Sequence, residues 1–210
     1  MLELLEDNIN TSDYWNNCYE RNNSKGNNAE RNAFWLKWIP THSEITLLEI
    51  GYGSDGGMIT TLKDVRPNIK MTALDFSSAL IERDMKLYPH IDFLCVDIMS
   101  YIPEHKFDIV LCQHVLEHFD NPQDFISKIS RSMVADSGLF LLSLPHWGSF
   151  RSPQHVKAFT PVDILNLTSE DFYLLNVSII DCEGEGQEMR FVLGKKHHAF
   201  RFRAGTYNGQ

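Results

Sequence analysis

The sequence predicts an α/β domain in which a mainly parallel sheet carries helices on both faces, and three observations predict it. Apolar runs of strand length alternate with helix-like segments from about residue 45 to residue 168, the rhythm of a parallel sheet buried on both sides. The first run ends in a glycine-rich turn that opens a helix. The chain then closes on two long apolar segments, residues 172–182 and 189–194, parted by the turn-rich Glu183-Gly-Glu-Gly-Gln187, which reads as a C-terminal antiparallel β-hairpin.

Strands are expected at residues 45–50, 70–75, 91–96, 107–111 and 139–144, each a short run dominated by Ile, Leu, Val, Phe or Met. Helices over 57–65, 77–87 and 121–134 connect them. The last opens at Asn121-Pro122, a capping side chain followed by a proline suited to the first helical position, and Ser137-Gly138 marks its end. After Pro161 a short helix over 162–167 leads into the hairpin. Residues 1–40 differ: Asn-rich between Asn16 and Asn28, then an aromatic helical stripe of Phe34, Trp35 and Trp38. They read as an N-terminal helical cap of the same domain as residues 41–210, lying either over a ligand crevice or against the flank of the sheet.

Composition narrows the function. At 210 residues and 43% hydrophobic the chain is long enough for one domain to bury a full core without metals or disulfides. A net charge of −9 argues against broad contact with nucleic-acid phosphates and favours a small-molecule partner. Cys18, Cys95, Cys112 and Cys182 lie far apart with no CxxC pair, so reduced thiols in the cytoplasm are expected, with Cys95 and Cys112 buried. The N-terminus lacks a basic stretch followed by an apolar one, and no apolar run approaches the roughly 20 residues that span a bilayer, so a soluble protein is expected.

The chemistry concentrates at the strand ends. Leu47-Leu-Glu-Ile-Gly-Tyr-Gly-Ser-Asp-Gly-Gly57 places Gly51, Tyr52, Gly53 and Gly56 in the turn between the first strand and its helix, where missing Cβ atoms let the backbone approach a ligand. Asp75, 24 positions after Gly51, ends the second strand, where a carboxylate can accept both hydroxyls of an adenosine ribose. Phe76 follows it. Asp97, with Ile98 beside it, ends the third strand and is placed to accept an adenine amino group. Glu49 sits inside the first strand, where a pyrophosphate turn gains nothing from a negative charge but a sulfonium cofactor with an ammonium group tolerates one. The chain also shows no Tyr-x-x-x-Lys dehydrogenase motif. Together these features favour S-adenosyl-L-methionine over a nicotinamide; an oxidoreductase, or a silent cofactor-binding subunit, stays open as the alternative.

These residues bring a resemblance with them. From about Tyr14 to Gly194 the chain resembles the class I S-adenosylmethionine-dependent methyltransferases, particularly the small-molecule group that includes ubiquinone-biosynthesis-like enzymes. The stretch Phe107-Asp-Ile-Val-Leu-Cys-Gln-His-Val-Leu-Glu-His118, then Asp120-Asn-Pro, Leu144-Pro145-His146 and His155-Val-Lys-Ala-Phe159-Thr-Pro161 carry it. The resemblance implies a Rossmann-like seven-stranded sheet with its last strand inserted antiparallel, and a cofactor pocket that Gln113 and His114 help line. It also implies a methyl acceptor, with a hydroxyl the expected acceptor atom. Asp55 departs from the pattern, since the family usually has glycine there, and this puts the role of Gly56 in question.

Three histidines are candidate acid–base groups: His155 and His146, which compete for a role in the acceptor wall at residues 145–159, and His118, which has a packing reading as well. Trp147 and Arg151 belong to the same wall. His114-Val-Leu-Glu117-His118 also matches the inverted zinc-protease pattern, but that pattern needs a helix, and this stretch follows a strand and stops at Pro122. No metal is therefore expected, and Glu117 is read as a group that fixes loop N–H donors.

Overall fold

The computed structural model describes residues 1–3, 8–21, 29–41, 44–53, 57–66, 68–147, 152–182 and 186–196. Among the described residues nine strands appear in chain order: β1 (Leu2–Glu3), β2 (Ile45–Ile50), β3 (Ile69–Asp75), β4 (Asp92–Cys95), β5 (Phe107–Gln113), β6 (Val134–Pro145), β7 (Lys157–Ala158), β8 (Phe172–Cys182) and β9 (Gly186–Lys195). The helices are α1 (Ser12–Arg21), α2 (Ala29–Leu36), α3 (Gly57–Val65), α4 (Ser78–Leu87), α5 (Pro122–Lys128) and α6 (Pro161–Thr168).

Seven strands form one sheet in the order β4-β3-β2-β5-β6-β9-β8, with β2 to β6 parallel and β9 antiparallel to both of its neighbours. The Rossmann-like seven-stranded expectation thus holds, hairpin included. The chain runs outward from β2 through β3 and β4, then returns to β5 on the other side. The crevice at the carboxyl ends of β2 and β5 is therefore the switch point where open α/β sheets take ligands.

Successive side chains of a strand face opposite ways, so a central strand must be apolar throughout. Along β5, Ile109 and Leu111 join Trp35, Met58, Leu62 and Leu80 on one face; Val110 and Cys112 join Phe125, Phe140, Phe159 and Phe191 on the other. Trp35 is fully buried in the first of these cores, so the aromatic stripe of α2 packs on the sheet's flank. The crevice side of the N-terminal segment belongs to α1 instead. Asn16 Oδ1 of α1 accepts from Ser77 Oγ at 2.6 Å and from Ala79 N at 3.2 Å, pinning it across the start of α4.

Several expectations shift in detail. The helix expected over 121–134 is α5, capped by the Asn121 side chain on Asp124 N, followed by a π-turn at Ile129–Met133. Strand β6 then begins at Val134, five residues before the expected start, and Ser137-Gly138 lies inside it. Gly138 is there because a Cβ would sit 2.9 Å from the Asp108 carbonyl oxygen. Cys95 is exposed, whereas Cys112 is fully buried and burial pushes its thiol pKa well up. Among the described residues no helix is long and apolar enough to cross a membrane.

Candidate active site

A cavity of about 210 Å³ opens at the switch point. One wall comes from the ends of β2, β3 and β4: Gly51, Asp75, Phe76, Asp97 and Ile98. The opposite wall comes from α1 and the segment after β5, with Trp15, His114 and His118.

Gly51 and Gly53 both adopt left-handed backbone, at φ 63° and 72°. Any Cβ on Gly51 would fall 2.5 Å from Val115, so the turn passes hard against the opposite wall. Gly56 lies outside the described residues. The third left-handed glycine is Gly57, at φ 54°, where a Cβ would meet Glu49 Oε1 at 2.5 Å. The sequence reading missed it because spacing alone does not reveal which glycine abuts a carboxylate.

Glu49 is 1% exposed and does not line the cavity. Its Oε1 accepts from Met58 N at 2.9 Å and from Gln113 Nε2 at 3.3 Å, and Gln113 Oε1 accepts from Trp35 Nε1 at 2.8 Å. Glu49 and Gln113 therefore brace the glycine turn from below, tied to the core of the flank. Tyr52 is buried outside the cavity lining, its ring tilted against that of Phe93 with centroids 5.5 Å apart; burial, with Asp84 and Asp75 nearby, drives its phenol pKa strongly upward.

Asp75 is 3% exposed, accepts from Ser77 N at 2.9 Å, and faces the cavity. Burial raises its pKa from 3.8 to about 6, against the pull of the backbone N–H groups of Ser77, Phe76 and Gly53. Asp97 is exposed, and its Oδ1 accepts from Met99 N at 2.9 Å.

The segment after β5 departs from regular structure. His114 takes φ 52°, and only Leu116–His118 forms a short 3-10 turn. His114 and His118 thus do not share a helical face. His114 points between Glu117, 3.5 Å from its Nδ1, and Glu188, 3.3 Å from its Nε2. Burial alone would lower its pKa, but the two carboxylates prevail and raise it to about 9, so His114 is an imidazolium at neutral pH. Arg190 completes a buried chain of alternating charge: its Nε donates to Glu188 Oε1 at 2.8 Å, and its guanidinium lies 5.1 Å from the Phe34 ring. Glu188 and Arg190 carried no sequence signal, since nothing in β9 says which loop it will face.

His118 lines the cavity with its ring edge-on to Trp15, 5.3 Å away, and its Nδ1 lies 2.9 Å from the Gln154 carbonyl oxygen. His155, 8% exposed, stands behind it, with ring centroids 5.2 Å apart and Nε2 4.0 Å from Glu117 Oε1. Glu117 does not bond loop N–H groups with its side chain, as the sequence had suggested: its carboxylate is buried between His114 and His155. His146 stays apart from these groups, its backbone bridging to Phe159 and its N–H donating to Gln187 O at 2.8 Å. Trp147 is half exposed, and Arg151 lies outside the described residues.

Residues 48–142 match the family described as "Methyltransferase domain". Over this stretch, under half of the 210 residues, the chain is similar to methyltransferases. The chain is also similar to known methyltransferases at low identity. It is 26% identical over 110 residues to a malonyl-[acyl-carrier protein] O-methyltransferase of Acetivibrio thermocellus, covering 51% of the chain and 38% of that protein. It is 29% identical over 106 residues to (S)-tetrahydroprotoberberine N-methyltransferase of Eschscholzia californica, covering 48% and 30%. The chain thus spans well under half the length of these two relatives. Among solved structures, 1,6-didemethyltoxoflavin-N1-methyltransferase of Burkholderia thailandensis, with bound 1,6-didemethyltoxoflavin and S-adenosylhomocysteine, superposes with a TM-score of 0.69 at 14% identity, over 88% of this chain and 85% of that one. This likeness is one of fold. The methyltransferase match spans β2 to β6, the part of the sheet that builds the cavity, and leaves α1 and β9 outside it.

Proposed function

We propose that this methyltransferase domain binds S-adenosyl-L-methionine in the switch-point cavity and transfers its methyl group to a small-molecule hydroxyl. The observation that carries the reading is Asp75, a nearly buried carboxylate facing a cavity whose floor is a left-handed glycine turn. Asp75 accepts from the two ribose hydroxyls, and Asp97 from the adenine amino group, with Phe76 and Ile98 flanking the base. Gly51 and Gly53 let the backbone approach the methionine portion. Glu49, Tyr52 and Gln113 act by bracing that turn, and His114 closes the far wall. Four free thiols, one of them exposed, suit a cytoplasmic protein.

The acceptor enters on the side of Trp15 and His118. A carbonyl oxygen only accepts, so the Gln154 carbonyl makes Nδ1 the protonated nitrogen of His118 and leaves the Nε2 lone pair available. With S-adenosyl-L-methionine bound to supply an electrophilic methyl group, His118 would take the proton of the acceptor hydroxyl, with His155 and the Glu117 carboxylate behind it. Positioning and exclusion of water supply most of the rate, because the sulfonium already makes the methyl electrophilic. His146 does not line the cavity, and the step is assigned to His118.

Calorimetric titration of the purified chain with S-adenosylhomocysteine tests the reading. Saturable one-site binding that Asp75→Ala abolishes is expected. Absence of heat at millimolar ligand, or tight binding of NAD instead, overturns it.

A further inference from the structure

We propose that Glu117, His118 and His155 form a binding site for a divalent transition-metal ion at the acceptor end of the cavity. One ligand atom from each of the three residues lies within 4.8 Å of the others. Bonds of about 2.0–2.2 Å to imidazole nitrogen and carboxylate oxygen place ligand atoms roughly 3–4 Å apart around a cation, so the widest pair needs to close by about 1–2 Å, within the reach of side-chain rotation.

Two further observations point to a ligand. Glu117 is 1% exposed, and neither of its carboxylate oxygens accepts a hydrogen bond. Its nearest imidazole nitrogens are His114 Nδ1 at 3.5 Å and His155 Nε2 at 4.0 Å, the second too far for a hydrogen bond but suited to two atoms that share an ion. His114 offsets part of the cost of burying this carboxylate, and its remaining lone pairs still call for a ligand. Second, the Gln154 carbonyl holds His118 Nδ1–H, the outer contact that typically orients a metal-binding imidazole and presents its Nε2.

The three ligands come from two segments, the turn after β5 and the residues before β7, and they are tied together because Val156 N donates to Glu117 O at 2.9 Å. His114, the residue that the sequence pattern would have paired with His118, faces Glu188 instead. Two nitrogens and one oxygen favour zinc, cobalt or manganese over magnesium, which prefers an all-oxygen shell. His118 lines the cavity, so the open coordination positions face the acceptor, as in catalytic rather than structural metal sites. An acceptor hydroxyl bound there ionises by losing its proton to water, and His118 then serves as ligand in place of base. That role in transfer rests on the methyltransferase reading; the ion site itself does not.

The test uses the full chain, stripped with chelator and titrated with Zn²⁺ and Co²⁺ without cofactor or acceptor. One ion per chain should bind, with a Co²⁺ visible spectrum of nitrogen and oxygen ligation. His118→Ala, His155→Ala and Glu117→Gln should each weaken binding about 100-fold or more, while His90→Ala, an exposed site, and a His197→Ala/His198→Ala pair leave it unchanged. Retained S-adenosylhomocysteine binding shows that each variant is folded. Failure of the parent chain to bind either ion, or binding lost only in the His197/His198 pair, overturns the metal site while leaving the methyltransferase reading intact. Ion binding without any S-adenosylhomocysteine binding sinks the methyltransferase reading and keeps the site.

Discussion

Replacing Asp75 by Asn should make the unliganded protein more stable and the liganded one less so. Folded Asp75 holds its proton up to about pH 6, against 3.8 when unperturbed, chiefly because it is buried. The raised value means that this group's contribution is most favourable below pH 4, declines as pH rises, and is fully lost above about 6. The displacement corresponds to about 3 kcal/mol carried against folding at neutral pH. Asn removes that charge but turns an amide toward the Phe76 and Gly53 N–H groups, which returns part of the gain. A net stabilisation of about 1–2 kcal/mol at pH 7.5, vanishing near pH 4, is expected. The ligand reverses the order: S-adenosylhomocysteine at about 100 times its Kd adds about 2.7 kcal/mol to the parent protein and little to the variant, which has lost two charge-assisted bonds. Urea unfolding at pH 4.5 and 7.5, with and without S-adenosylhomocysteine, reads all four states. An Asp75→Asn protein that is less stable at pH 7.5, keeps the parent's pH dependence, or gains as much from the ligand would refute the reasoning.

Gly57→Ala forces a left-handed residue and drives a Cβ into Glu49 Oε1, so it should cost about 2–4 kcal/mol and weaken cofactor binding as the turn shifts; a loss under about 0.5 kcal/mol in urea unfolding would show that Glu49 gives way freely. Phe140→Ala, deep in the α5 side of the core beside Phe172, should cost about 3–5 kcal/mol, with affinity for S-adenosylhomocysteine measured well below the melting point nearly unchanged. Binding of S-adenosylhomocysteine at pH 5.5 should release roughly three quarters of a proton as Asp75 ionises, visible as a dependence of the calorimetric heat on the buffer's ionisation enthalpy; a buffer-independent heat would mean that Asp75 does not contact the ligand.

Much of this protein was legible from local pattern. The five parallel strands, the C-terminal hairpin and the glycine turn all announce themselves through periodicity and backbone chemistry that a few neighbouring residues decide. Gly51, Asp75, Phe76, Asp97 and Ile98 could be placed together because a parallel sheet brings the ends of successive strands to one edge, so sequence position there already encodes spatial position. What the tertiary structure alone decided are contacts between segments with no fixed relation along the chain. Trp35 went to the core and Trp15 to the crevice, although both are aromatics on short helices, because only the docking of α1 against Ser77 and Ala79 distinguishes them. His114 was drawn away from His118 by Glu188, which lies 74 positions later and reaches it only because β9 inserts beside β6. The meeting of Glu117, His118 and His155 depends likewise on bonds between two loops, Val156 N to Glu117 O and the His118 ring to the Gln154 carbonyl. Side chains whose partners lie across such loops have their roles set by the balance of burial and charge in the folded molecule, a balance that no local pattern records.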